Sequence, residues 1–113
     1  MSCIFCGIAA GEVPSDTVAE GEDFVAFRDL QPQAATHVLV IPRRHISGIA
    51  DIIPKDGDLI GRLMVAAADV ARGEGLAEGG YRLVVNQGEA GGQTVEHLHI
   101  HVLGGRQMRW PPG

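Results

Sequence analysis

The chain has 113 residues, enough for one domain with a small core. Nine basic residues stand against fourteen acidic ones, a formal charge of −5, which argues against a general nucleic-acid binder but leaves room for one small anionic ligand held by local donors. No apolar run approaches the length of a membrane span, and MSCIFCGIAAGEVP has no basic stretch ahead of its apolar residues, so no membrane contact, no signal peptide and a cytoplasmic location are expected.

Cys3–Ala10 reads as a short helix closed by Gly11, with Ile4, Phe5 and Ile8 on one face. Asp16–Glu20 and Phe24–Arg28 read as a hairpin around Gly21-Glu22-Asp23, and HVLVIP (His37–Pro42) as a buried strand. From Asp51 to Gly73 the period changes. Ile60, Leu63, Met64, Ala67, Ala68 and Ala71 recur at helical spacing, with Pro54 and Asp56 near the start. Tyr81–Asn86 is a further strand, Gly88–Gln93 a glycine-rich loop, and Val95–Leu103 the last long strand. The order predicts a single α+β domain over residues 1–113: an antiparallel sheet with one long helix and a short N-terminal helix, both on one side.

The last strand carries EHLHIHVLGG. Alternation places Leu98, Ile100 and Val102 on one face and His97, His99 and His101 on the other, roughly 6.5–7 Å apart along the strand. Three imidazoles in a row suit either metal ligation or nucleophilic and acid–base chemistry at phosphorus. The preceding Gly91-Gly92-Gln93-Thr94 favours phosphorus, because glycine lets a backbone approach an anion closely and Gln93 and Thr94 add donors. Cys3-Ile4-Phe5-Cys6 is half a zinc site, for which His45 and His97 are candidate partners; otherwise the two thiols are small buried residues. His37 reads as structural.

His97-Leu98-His99-Ile100-His101-Val102-Leu103 resembles the pattern of the histidine triad superfamily of nucleotide-binding hydrolases and transferases. Asp29–Pro32, Thr36–Ser47, Asn86–Val95 and the ending Gly104–Gly113 resemble its Hint branch, and the tail Trp110-Pro111-Pro112-Gly113 points there rather than to the dinucleoside-polyphosphate hydrolases. The resemblance implies a homodimer with one sheet continued across it, and hydrolysis of a purine nucleoside phosphoramidate to the nucleoside monophosphate. His99 would be the nucleophile that carries a nucleotidyl intermediate, and His101 would assist the phosphate and the leaving group. Asp29 would hold the ribose, Ile4, Phe5, Ile8, Phe27 and Leu30 the purine, and Asn86, Gly92, Gln93 and Thr94 the remaining nucleotide contacts. Thr94 stands where relatives often carry Ser, keeping the hydroxyl and adding a methyl. The resemblance further implies structural zinc on Cys3, Cys6, His45 and His97, with no metal required for catalysis, and a tail that crosses the dimer. Hydrolysis of dinucleoside polyphosphates, nucleotidyl transfer and a nucleotide sensor with little turnover remain alternatives.

Overall fold

The computed structural model describes residues 3–113. Helix α1 (Ile4–Ala9) is followed by β1 (Thr17–Glu20), β2 (Phe24–Arg28) and β3 (Thr36–Pro42), then helix α2 (Gly57–Gly73), β4 (Arg82–Val84) and β5 (Ile100–Gly104). The strands form one antiparallel sheet in the order β1-β2-β3-β5-β4. Among the described residues no helix is long and apolar enough to cross a membrane.

Register divides the sheet into two faces, because directly opposed residues in neighbouring strands share a side. Ala26 lies opposite Val40, Val40 opposite Ile100, and Val38 opposite Val102. These small and branched residues form one core with Leu63, Ala66, Ala67, Val70 and Ala71 of α2. Phe27 lies opposite Leu39, Leu39 opposite His101, and Val25 opposite Ile41. Val25, Phe27, Leu39 and Ile41 form a second core with Phe5 and Ala9 of α1. The helices therefore cover opposite faces, which corrects the expectation that both lie on one side. HVLVIP is apolar at nearly every position because it is buried on both faces.

The segment boundaries also shift. Residues 49–51 and 54–56 make separate 3-10 turns, the second opening on Pro54 at its first position, so α2 starts at Gly57. Asp56, buried at that junction, accepts from the Ile53 amide and pairs with Arg44. The last strand begins only at Ile100. Before it, the Leu98 amide donates to Ile46 O at 2.6 Å, outside the sheet ladder. The face alternation read from sequence nevertheless holds through this detour: Leu98 joins Ile100 and Val102 in the α2 core, and His97 and His99 both meet Phe5 on the α1 side.

Leu63 is 1% exposed within the α2 core. Leu63→Ala should cost about 2–5 kcal/mol and lower the melting temperature by about 10 °C or more, measured by calorimetry.

Candidate active site and metal site

The sheet face covered by α1 holds a cavity of about 330 Å³. Its apolar wall comes from Ile4, Phe5 and Ile8 of α1 together with Phe27, Leu30 and Leu39. Asp29, Thr94, His99 and His101 line it as well. Nine of the predicted nucleotide contacts thus converge on one cavity: Ile4, Phe5, Ile8, Phe27, Asp29, Leu30, Thr94, His99 and His101.

Asn86, Gly92 and Gln93 lie outside this lining. The Gln93 amide is already committed: its Nε2 donates to Ser47 O at 2.8 Å and Val95 O at 3.1 Å, and its Oε1 accepts from the Gly88 amide at 2.9 Å. Gln93 braces the glycine-rich loop. Gly91 is needed for the same compactness, because a Cβ there would fall 2.4 Å from Gln87 O. Gly92 holds the left-handed φ of 82° that closes the turn.

The triad does not surround one ligand. His97 turns toward the cysteines, while His99 and His101 line the cavity with ring centroids 4.9 Å apart. Backbone groups select the tautomer of each ring, because a carbonyl only accepts and an amide N–H only donates. His97 Nε2 lies 2.9 Å from Pro42 O and so carries the proton, leaving a lone pair on Nδ1. His99 Nδ1 lies 2.7 Å from His97 O and donates to it, leaving the lone pair on Nε2.

His101 is set by a residue that sequence reading passed over as structural. The Gln33 amide donates to His37 Nδ1 at 3.0 Å, so the His37 proton sits on Nε2. That nitrogen is 2.9 Å from His101 Nδ1 and 3.4 Å from Asp29 Oδ2. His101 then accepts at Nδ1 and keeps its proton on Nε2, which is buried without a hydrogen-bond partner among the described residues. The site therefore places a nucleophilic lone pair on His99 beside an unengaged N–H on His101. His37 was legible in principle, since it shares strand parity with Leu39, the register partner of His101. Asp29 also accepts from the Gln31 amide at 2.8 Å through its other oxygen, so it is both a turn residue and part of the cavity wall.

Burial is the main reason the His101 pKa falls from the usual 6.5 to about 4; charge on His99 or His37 acts in the same direction, and Asp29 opposes it. Burial likewise lowers His37, again against Asp29, and it is the largest cause of the lowering at His97.

Cys3 Sγ, Cys6 Sγ, His45 and His97 form a second cluster, with all ligand atoms within 4.8 Å of one another. Cys3 Sγ is 3.3 Å and Cys6 Sγ 3.6 Å from His97 Nδ1, Cys6 Sγ is 3.2 Å from His45 Nδ1, and the two Nδ1 atoms are 3.2 Å apart. A tetrahedral ion with bonds of about 2.3 Å to sulfur and about 2.0 Å to nitrogen has ligand–ligand edges of about 3.3–3.8 Å. The donor set fits zinc, and the Pro42 contact leaves His97 Nδ1 in the unprotonated form a ligand requires.

These lowered histidine values make stability depend on pH. Between about 4 and 6.5 the unfolded chain binds a proton at His101 that the folded chain does not, so the contribution is complete above 6.5 and is lost as the pH falls. Wild type should lose about 1–2 kcal/mol more than His101→Gln between pH 7 and pH 5 in chelator-containing buffer, read from denaturant midpoints.

A model of the HIT domain matches residues 10–108. A "14 kDa zinc-binding protein" of Zea mays is 48% identical over 112 residues, covering 97% of this chain and 87% of the maize protein. The crystal structure of a HIT family hydrolase from Legionella pneumophila Philadelphia 1 superposes with a TM-score of 0.97 at 51% identity, covering 99% of this chain and all of that one. A Zn-bound histidine triad family protein from Mycobacterium smegmatis has a TM-score of 0.79 at 36% identity, covering 94% of this chain and 76% of its own. The family model spans most of the chain and the superposition covers nearly all of it: this chain belongs to the HIT domain family.

Proposed function

We propose that the protein is a purine nucleoside phosphoramidase of the Hint branch, cleaving the P–N bond through a covalent intermediate on His99. The observation that supports this most is the opposed tautomers of His99 and His101 at one end of an apolar cavity. The base lies between Ile4, Phe5, Ile8, Phe27 and Leu30, the ribose reaches Asp29, and Thr94 with the braced loop faces the phosphate. Asn86, Gly92 and Gln93 support that loop side of the nucleotide site.

His99 Nε2 attacks the α-phosphorus, and the P–N bond breaks with its electron pair on nitrogen. The N–H of His101 hydrogen-bonds that nitrogen as charge collects there. Water gives the departing amine its proton, and the resulting hydroxide attacks phosphorus, restoring His99 and releasing the nucleoside monophosphate. Zinc, where bound by Cys3, Cys6, His45 and His97, supplies a structural cross-link and takes no part in this sequence. His37 positions His101 by holding its Nδ1.

His99→Ala should reduce turnover of a fluorogenic adenosine phosphoramidate by at least about 10³-fold while AMP affinity, measured calorimetrically, stays within about tenfold. Substantial turnover in the variant, or a nucleotidyl adduct trapped on another residue, would remove His99 as nucleophile. Faster wild-type cleavage of dinucleoside polyphosphates than of phosphoramidates would move the assignment to P–O–P substrates.

The protein is further proposed to work as a homodimer. Leu30 is 96% and Trp110 82% exposed in the isolated chain, an unusual state for large apolar side chains next to a cavity mouth and at a proline-stiffened tail. Sedimentation at twice the chain mass is the expected result, and a monomer at micromolar concentration would contradict it.

A further inference from the structure

We propose that Cys3 and Cys6 form a peroxide-oxidisable dithiol whose closure expels the metal and weakens nucleotide binding. This rests on the zinc and nucleotide readings above and adds a control over them. Both thiols are partly exposed, unlike the fully buried His97 beside them. Their sulfurs lie within 4.8 Å of each other, and the Cys6 amide donates to Cys3 Sγ at 3.3 Å, so the chain already folds one cysteine back over the other.

The coupling lies in α1. With six residues it is too short to persist by its own hydrogen bonds and depends on what it packs against. Cys3 and Cys6 face the metal cluster, while Ile4, Phe5 and Ile8 of the same turns form a wall of the nucleotide cavity. Phe5 sits between the sites: its ring meets His97, His99 and Phe27 edge-on, with centroids 5.9, 5.3 and 5.4 Å away. The other two metal ligands, His45 and His97, lie outside α1. A bound ion therefore ties the helix to the rest of the molecule through both cysteines, and joining them removes both ties at once.

In the oxidation, two thiolates and one hydrogen peroxide take up two protons and give one disulfide and two waters. The sulfur pair loses two electrons, the O–O bond accepts them and breaks, and Zn²⁺ departs with its charge unchanged. His45 and His97 are then left with ring nitrogens 3.2 Å apart and no cation between them, and the exposed His45 is free to swing outward.

The test uses the zinc-loaded full chain. Zinc content and AMP affinity are measured first, then the protein is treated with hydrogen peroxide. Zinc release is followed with a colorimetric chelator, the Cys3–Cys6 disulfide by peptide mass, and AMP affinity by calorimetry. The expected result is release of the bound zinc, one intrachain disulfide and an AMP Kd raised about tenfold, the scale of losing one aromatic wall contact, all reversed by reductant plus zinc. Cys6→His, which keeps four ligating side chains but cannot close the disulfide, is compared with its own untreated sample: peroxide should change neither its zinc content nor its AMP affinity from the untreated values, whatever those are. Zinc retained in peroxide-treated wild type, or zinc lost with AMP affinity unchanged, would overturn the gate while leaving the proposed function standing. If Cys6→His fails to fold, the wild-type comparison decides alone. Absence of AMP binding before oxidation would overturn the proposed function, and the gate with it.

Discussion

A neutral imidazole that donates through one ring nitrogen must present a lone pair at the other, and the arrangement of this site follows from that constraint. Pro42 O takes the His97 proton on Nε2, His97 O takes the His99 proton on Nδ1, and the Gln33 amide reaches the His101 ring through His37. Two of these three groups belong to β3 or the residues just before it, and the third to the segment leading into β5. Three chemically identical side chains thereby present different ring nitrogens, a lone pair on His97 Nδ1, a lone pair on His99 Nε2 and an N–H on His101, without any change in residue type. The polypeptide backbone, not the side-chain inventory, differentiates them.

The sheet makes this possible by carrying a different material on each face. Toward α2 it presents Ala26, Val38, Val40, Ile100 and Val102, which need only to pack. Toward α1 it presents Phe27, Leu39 and His101, where packing and polarity meet in one cavity. His37 is buried and His101 half-buried there, low polarity favours the neutral form of both, and the buried Nε2 of His101 keeps its N–H from competing water.

Much of this was legible in the chain. Alternation in EHLHIHVLGG marks the buried aliphatics, and Leu98, Ile100 and Val102 are indeed all buried. Helical spacing locates α2, and the C-x-x-C pair with His45 and His97 names the four side chains that the fold brings within 4.8 Å of one another. What sequence reading missed depends on tertiary register. His37 becomes informative only once β3 is laid against β5. The placement of α1 on the face opposite α2 is invisible in a strand that is apolar on both sides. The early end of strand geometry before Ile100 arises from the Leu98–Ile46 hydrogen bond, a contact over fifty residues of chain. Gln93 looked like a phosphate donor by type and position, yet backbone carbonyls nearer at hand claim its amide.

The separation of the two cores has an evolutionary consequence. Substitutions at distant, non-contacting positions add nearly independently, whereas those within one packed cluster couple. Among the described residues, the α2 core and the cavity-side core are separate clusters on the two faces of the sheet. Drift in the first can change how firmly the domain holds together without altering what the second recognises. Diversification of the cavity wall can proceed while the α2 layer keeps the sheet intact. Such a scaffold can be inherited with its stability largely settled and its selectivity still open to change.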